Sequence, residues 1–281
     1  MNNLVWLASY PKSGNTWLRI FLTNLFSGKE QAANINNLEK MSIASSRNLV
    51  DEVIGIDSSD LTHDEIDNLR PEIYEYISNN AMENSYHKIH DAFTYLDDAK
   101  EKPLIPYKAT KKAIYILRNP LDVTISFANH SGISIDKSIK RMADDSFCFS
   151  EKNNKPGKQL RQKLLSWSDH VNSWTQAENI NLHIVRYEDM KKEPFESFGK
   201  IVDFLELDYS TSQINKALQL SSFSELKKQE QEQGFKERSA NCSVFFNKGE
   251  SGYWKEILTD EQIKQITQNH NKVMTKFGYL D

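Results

Sequence analysis

A lysine, a serine and a threonine set around one glycine in Tyr10-Pro11-Lys12-Ser13-Gly14-Asn15-Thr16-Trp17 are the residues of this chain best placed to do chemistry. An apolar strand, Leu4–Ser9, runs into this polar turn, and helical sequence follows directly. Strand, tight turn and helix N-terminus aim unpaired backbone N–H groups and the positive end of a helix dipole at one point, which suits a phosphate or a sulfate. The Walker A loop brackets four residues with two glycines ahead of Lys-Ser/Thr, whereas here one glycine follows the lysine, so the pattern disfavours an ATPase. The same residues also fit an ordinary strand–helix turn, and the rest of the chain has to decide between the two readings.

Two further segments bear on that choice. In Tyr115-Ile116-Leu117-Arg118-Asn119-Pro120 a guanidinium stands at the carboxyl end of a strand, and Ser126 lies two turns into the next helix, a pair able to grip a second phosphate. Near the C-terminus, Phe245-Phe246-Asn247-Lys248-Gly249-Glu250-Ser251-Gly252 sets two glycines beside a lysine, so backbone amides can approach an anion where no Cβ intervenes.

These residues need a frame. Apolar, β-rich runs at 4–9, 113–117 and 182–185, with a weaker one at 86–90, alternate with helical sequence. That alternation predicts parallel strands joined by crossover helices, a three-layer α/β/α domain spanning 1–281 as a single unit. Ligands of such sheets gather at the carboxyl ends of strands, where these segments all lie. Asn119-Pro120 reads as an N-cap followed by proline at the first helical position, and Thr259-x-x-Gln262 as a capping box opening a final helix to about Lys276. The stretch 160–178 places Leu164, Trp167, Val171 and Trp174 at helical spacing, with the tryptophans in the core. Residues 28–60 read as irregular, 131–158 as a mobile polar insertion of the kind that forms lids, and 224–239 as solvated helix or disorder.

Composition narrows the class. The 281 residues, 26% charged with a net charge of -4, describe a soluble globular chain with no bulk basic field for nucleic acid. Two cysteines, Cys148 and Cys242, support neither a disulfide framework nor a zinc site, and free thiols in a reducing, cytoplasmic setting are expected. No run approaches the ~20 apolar residues of a membrane span, and no carboxylate or histidine set has the spacing of a metal site.

Taken together, these motifs resemble the sulfotransferase family that uses 3′-phosphoadenosine-5′-phosphosulfate (PAPS), in particular its cytosolic and bacterial aryl or alcohol members. The resemblance runs from Val5 to about Phe277 with its motifs in order. The Tyr10–Trp17 turn resembles the family's P-loop-like 5′-phosphosulfate loop, and Arg118 with Ser126 resembles its 3′-phosphate motif. Lys248-Gly249-x-x-Gly252-x-Trp254-Lys255 resembles its C-terminal nucleotide segment, which begins here at Phe245. Ser221-Ser222-Phe223 and Tyr187-Glu188-Asp189-Met190 resemble the stretches flanking the adenine, and Lys88-Ile89-His90 resembles the Lys-Thr-His stretch that holds the catalytic base.

The resemblance implies roles. PAPS would be the sulfuryl donor and PAP, 3′,5′-adenosine bisphosphate, the product, with no metal. His90 would take the acceptor's proton, a task suited to a histidine's ordinary pKa near ~6.5. Lys12 would stabilise charge on the bridging oxygen as the S–O bond breaks, and Lys88 would either assist on the sulfuryl oxygens or serve structure. Ser13, Gly14, Asn15, Thr16 and Trp17 would hold the 5′-phosphosulfate, with the Trp17 ring near the adenine beside Tyr187, Ser222 and Phe223. Asp91 would point to the opposite face of an extended chain from His90, which argues against it as an orienting carboxylate.

A nucleotide kinase and a non-catalytic PAPS or PAP sensor are the rival readings. The kinase lacks its Walker lysine position and a magnesium carboxylate, and a sensor has no use for His90. The expected acceptor is the hydroxyl or amine of a small molecule, with a carbohydrate or glycolipid left open. Phe93, Tyr95, Phe127, Phe147 and Phe149 suit either an apolar pocket or core. The family's dimerisation pattern Lys-x-x-x-Thr-Val-x-x-x-Glu is met by Lys255 and Thr259 but carries Asp260 and Lys264 in place of valine and glutamate, so it assigns no oligomeric state.

Family members usually carry an arginine for the 3′-phosphate where this chain has Asn247. Asparagine brings no charge, and a hydrogen bond to a charged group is worth about 1.5–3 kcal/mol. Asn247→Arg is therefore expected to tighten PAP binding by roughly ten-fold, with a smaller gain for adenosine 5′-phosphosulfate, which lacks the 3′-phosphate. Calorimetry on both nucleotides checks this, and an equal gain for both would mean that position 247 does not face that phosphate.

Overall fold

The computed structural model describes residues 2–38, 40–151 and 157–280. Seven strands occur among them: β1 (Leu4–Ser9), β2 (Met41–Ile43), β3 (Ser85–Ile89), β4 (Thr110–Leu117), β5 (Cys148–Phe149), β6 (Gln162–Lys163) and β7 (Leu182–Arg186). Five of them form a parallel sheet in the order β2-β3-β1-β4-β7, in which Val5 pairs with Tyr86 and Met41 with Tyr86 from the other side. Sheet and helices together give the three-layer α/β/α class that the sequence pattern predicts.

The chain divides into two compact units, each assembled from three segments. The first comprises Met1–Tyr10, Met41–Tyr115 and Asp144–Ile184, and the second Pro11–Lys40, Ile116–Ala143 and Val185–Asp281. The division falls just after β1, inside β4 and inside β7, so each time the chain leaves the first unit near the carboxyl end of a strand.

In the first unit every residue of β1 is buried, as a central parallel strand requires. The Trp6 indole donates to the Thr110 hydroxyl at 2.8 Å and packs edge-on against Tyr74 of the helix His63–Asn80. Tyr115, an odd number of residues from Thr110 on β4, faces the other way. It meets His170 and Trp174 of the helix Trp167–Thr175. Helices thus cover both faces of the sheet within this unit. Under it lies a buried ion pair: Arg70 donates to both carboxylate oxygens of Asp91, at 3.0 and 2.6 Å. Burial alone would pull the Arg70 guanidinium down, but the Asp91 carboxylate beside it holds it well above its ordinary value.

The second unit centres on the helix Asn15–Ser27, whose Ile20 packs with Ile35, Leu226, Phe235 and Phe246. The expected Asn119 cap is present, its side chain accepting from Leu121 N, and so is the Thr259–Gln262 box opening Asp260–Lys276.

Three expectations are corrected. Residues 28–60 are not irregular throughout: they contain β2 and the amphipathic helix Arg47–Ile54, and a three-residue strand is too short to show a period. The insertion at 131–158 contains the helix Ile135–Met142, capped by Ser134 and burying Ile139 and Met142, and then β5, paired antiparallel with β6; its residues 152–156 lie outside the described residues. In 160–178 the helix begins only at Trp167, because Leu165 takes a positive φ of 59° and Ser166 supplies the N-cap, which leaves Leu164 outside it. Of the two alternatives for 224–239, the structure gives helix as far as Gln233, where Gly234 ends the helix Phe223–Gln233. Both tryptophans of the 160–178 stretch are core, and both cysteines are free thiols.

Burial pushes His87 and His170 of the first unit from the ordinary 6.5 down to about 4. The unfolded chain therefore takes up these protons near pH 6.5 while the folded chain does not, and stability falls as the pH drops through that value. Between pH 7 and pH 5.5, above the carboxylate range, the pair is expected to cost about 2 kcal/mol. Urea unfolding at the two pH values measures the loss, and His87→Gln with His170→Gln should flatten it; a flat profile in the parent would contradict the assignment.

Candidate active site

The turn after β1 carries Lys12 at a φ of 71°, a left-handed conformation uncommon for a residue with a side chain. Its carbonyl oxygen accepts a hydrogen bond from Arg118 Nη1 at 3.0 Å. Gly14 comes next but one, at a φ of 107°, and stands at the N-cap of Asn15–Ser27, with no side-chain cap and no acidic residue in the first turn. The helix N-terminus is thereby left for an external anion.

A Cβ at Gly14 would lie 2.7 Å from the Tyr187 ring, so glycine is required here by space as well as by backbone. Tyr187 in turn supports Arg118, whose guanidinium carbon sits 4.3 Å from the ring centroid. Arg118 Nη2 donates to the Glu250 carbonyl oxygen at 3.0 Å. Trp17 packs edge-on against Tyr187 and Phe198, with the Lys191 ammonium 5.7 Å from its centroid. Burial lowers the pKa of Lys191; Glu250 opposes this and the Arg118 charge adds to it. The Lys12 ammonium rests 3.5 Å from the centroid of the Phe245 ring, a cation–π contact.

The C-terminal segment closes on this set from within the same unit. Gly249, at a φ of 65°, lies so close to Phe223 that a Cβ would stand 2.3 Å from its ring. Asp122 accepts from Gly252 N at 2.7 Å and from Trp254 N at 3.1 Å. Of the expected nucleotide residues, the structure joins Lys12, Gly14, Trp17, Arg118, Tyr187 and Phe245 through direct contacts, and Phe223 packs on the same apolar cluster as Trp17 and Phe245. Ser13, Asn15 and Thr16 are buried at the start of the helix. Ser126 is half-buried one turn beyond Asp122, and Ser222 precedes Phe223 with its hydroxyl 3.2 Å from that of Ser224. Asn247 and Lys248 are exposed, Lys248 lying 4.8 Å from the Tyr253 ring centroid.

Three buried donor groups here have no protein hydrogen-bond partner among the described residues: the Ser13 hydroxyl, the Trp17 indole nitrogen and Arg118 Nε. A buried donor without a partner is costly. Three of them beside an uncapped helix N-terminus and stacked aromatic rings fit an anionic nucleotide.

His90 belongs to the first unit, just past the end of β3. Its Nδ1 lies 2.8 Å from the Ser9 carbonyl oxygen. That oxygen can only accept, so Nδ1 carries the proton and Nε2 keeps the basic lone pair. The His90 carbonyl accepts from Nε2 of the buried His170 at 3.0 Å, and His170 Nδ1 lies 2.8 Å from the Tyr115 hydroxyl. A neutral His170 with its proton on Nε2 satisfies both partners. Asp91 is fully engaged with Arg70 and Lys163 N, as its expected orientation away from His90 requires. Lys88 is half-buried on β3, opposite Leu7 and Ile43. Of the aromatic residues left open by the sequence, Phe93 and Phe127 are core, while Tyr95, Phe147 and Phe149 are half-buried.

Sequence reasoning missed the carboxylates that hold this set. Asp122, Glu188 and Glu230 bind backbone N–H groups of distant loops, and no spacing rule announces such a contact. Glu188 accepts from Asn119 N at 3.0 Å and from the Tyr279 hydroxyl at 2.9 Å, and burial pushes its pKa up.

This is an α/β protein whose uncapped helix N-terminus and unpartnered donors suit an anionic ligand. Comparison with known proteins gives the family: the sulfotransferase domain model matches residues 2–278. The chain belongs to the sulfotransferase family and is a sulfotransferase. It is 29% identical to the flavonol 3-sulfotransferase of Flaveria bidentis over 94% of this chain and 79% of that one. It is 31% identical to the amine sulfotransferase of Oryctolagus cuniculus over 59% and 55%. Among solved structures, mouse sulfotransferase SULT7A1 complexed with PAP matches with a TM-score of 0.63 at 21% identity, covering 98% of this chain and 84% of that chain, and so shares the fold. Among the described residues no helix is long and apolar enough to cross a membrane.

Gly249→Ala is expected to cost roughly 1–3 kcal/mol, since it adds a steric conflict to a left-handed backbone. Gly28→Ala is the control: its φ is also positive, at 59°, but its Cβ would meet nothing within 4 Å. Denaturant unfolding should give the larger loss at 249, and equal losses would remove the Phe223 contact as the cause.

Proposed function

We propose that this sulfotransferase moves the sulfuryl group of PAPS to a hydroxyl of a small-molecule acceptor, with His90 as the base. The observation that carries the reading is the set of buried, unpartnered donors, Ser13 Oγ, Trp17 Nε1 and Arg118 Nε, around the uncapped start of Asn15–Ser27. PAPS supplies an activated sulfuryl group on a phosphate leaving group.

The chain's own residues divide the work. Ser13 and the first N–H groups of the helix hold the 5′-phosphosulfate, and Lys12 offsets the charge that grows on the leaving oxygen. Arg118, with Ser126 and the Asn247-Lys248-Gly249 segment, takes the 3′-phosphate. Trp17, Tyr187 and Phe223 offer aromatic faces to the adenine, with Ser222 and Phe245 beside them. In the first unit, His90 Nε2 receives the acceptor's proton, while the Ser9 carbonyl fixes the tautomer. Lys88 adds positive charge on the same strand.

The acceptor reading draws on the flavonol named for one relative and on the aromatic surface of the first unit. There Tyr95 is half-buried, and Phe147 and Phe149 pair edge-on at 5.7 Å. A phenol or another small apolar alcohol suits such walls.

His90→Ala is expected to lower turnover roughly 10²–10⁴-fold, the usual contribution of general base catalysis, while PAP still raises the melting temperature as in the parent. Turnover with a panel of phenols and alcohols, read by mass shift, measures the first effect and a thermal shift titration the second. A variant that keeps parental turnover would remove His90 as the base; a parent that shows no shift with PAP would remove the nucleotide assignment.

A further inference from the structure

The helix Phe223–Gln233 grips the C-terminal segment of the second unit at two points. At its first position, the Phe223 ring lies against Gly249. Two turns further along, on the same side of the helix, the Glu230 carboxylate receives Phe245 N at 2.7 Å through one oxygen and Phe246 N at 2.8 Å through the other. Glu230 is only 7% exposed. A carboxylate buried to that extent is costly unless strong donors compensate it, and two charge-assisted bonds do so.

What Glu230 holds matters for chemistry. Phe245 is the ring on which the Lys12 ammonium rests. Phe246 is buried with Phe235, Leu226 and Ile20, the last of these on the helix that the Lys12 turn opens. Directly after them come Asn247, Lys248 and Gly249. With Glu230 at one end of this segment and Phe223 at the other, one helix fixes both the seat of Lys12 and the course of the anion-binding loop. Neighbouring Gln229 serves a different stretch, accepting from Ile35 N and donating to the Ala33 carbonyl, so the grip on 245–246 falls to Glu230.

We propose that Glu230 is a positioning residue for sulfuryl transfer, setting Lys12 through the Phe245 ring and setting the Asn247-Lys248-Gly249 loop through the backbone. The role rests on the nucleotide reading of this unit. Charge is needed because two N–H donors converge on one side chain. An ionised carboxylate offers an acceptor oxygen to each, whereas an amide offers one oxygen and turns an NH₂ group toward the second donor.

Glu230→Gln is therefore the informative change, since size and shape are kept, and Glu230→Asp, which keeps both oxygens, should recover part of the loss. Calorimetry with PAP reports stoichiometry and affinity separately. The expected result for Glu230→Gln is near-parental stoichiometry, affinity weakened at least ten-fold and a reduced kcat. In the nucleotide-free protein, hydrogen exchange should accelerate both at 245–249 and in the turn at 10–17. Reduced stoichiometry with parental affinity and kcat would make Glu230 purely structural and overturn the proposal. If the parent itself fails to bind PAP, the nucleotide reading falls, and the exchange measurement still judges Glu230: parental exchange at both segments overturns its role.

Discussion

The second unit depends on one guanidinium. Arg118 leaves the end of β4, donates to the carbonyl of Lys12 and to that of Glu250, and lies over the ring of Tyr187. Three segments far apart in sequence are thereby tied to a single planar group. Lysine could not replace it, because a compact ammonium offers no rigid fork for two carbonyls and no plane to stack on the ring. The left-handed backbone at Lys12 is held by one of these bonds, and the space Tyr187 takes up is what excludes a side chain at Gly14.

Around the Lys12 turn, cations and carboxylates take different kinds of partner. The carboxylates of Asp122, Glu188 and Glu230 face backbone N–H groups of loops, whereas Lys12, Arg118 and Lys191 lie over aromatic rings. A ring orients a cation without neutralising it.

In the first unit a histidine is held by main-chain oxygen instead. The ring of His90 is fixed by the Ser9 carbonyl and its own carbonyl by His170, while the adjacent Asp91 is committed to the buried Arg70. A carboxylate beside the imidazole would strengthen it as a base, but this fold uses main-chain oxygen for orientation and the acid for anchoring. His170 works because it is neutral. Burial keeps it so, and one proton on Nε2 then satisfies both neighbours.

Local sequence settled the parts whose signals are local. The strand–turn–helix at Lys12, the Asn119 cap, the capping box at Thr259 and the buried strands β1 and β4 follow from spacing, caps and apolar runs within a few residues, and so does the family resemblance that names the candidate residues. Elements with short or mixed patterns escaped it: β2 is three residues long, and the helix Ile135–Met142 sits in a polar stretch with few apolar anchors. Tertiary structure alone decided which carboxylates hold which loops, why Gly14 and Gly249 must lack a side chain, and which nitrogen of His90 carries the proton. Each of these depends on groups brought together from distant parts of the chain, and a hydrogen bond or a steric contact has no periodicity along the sequence by which it could be read.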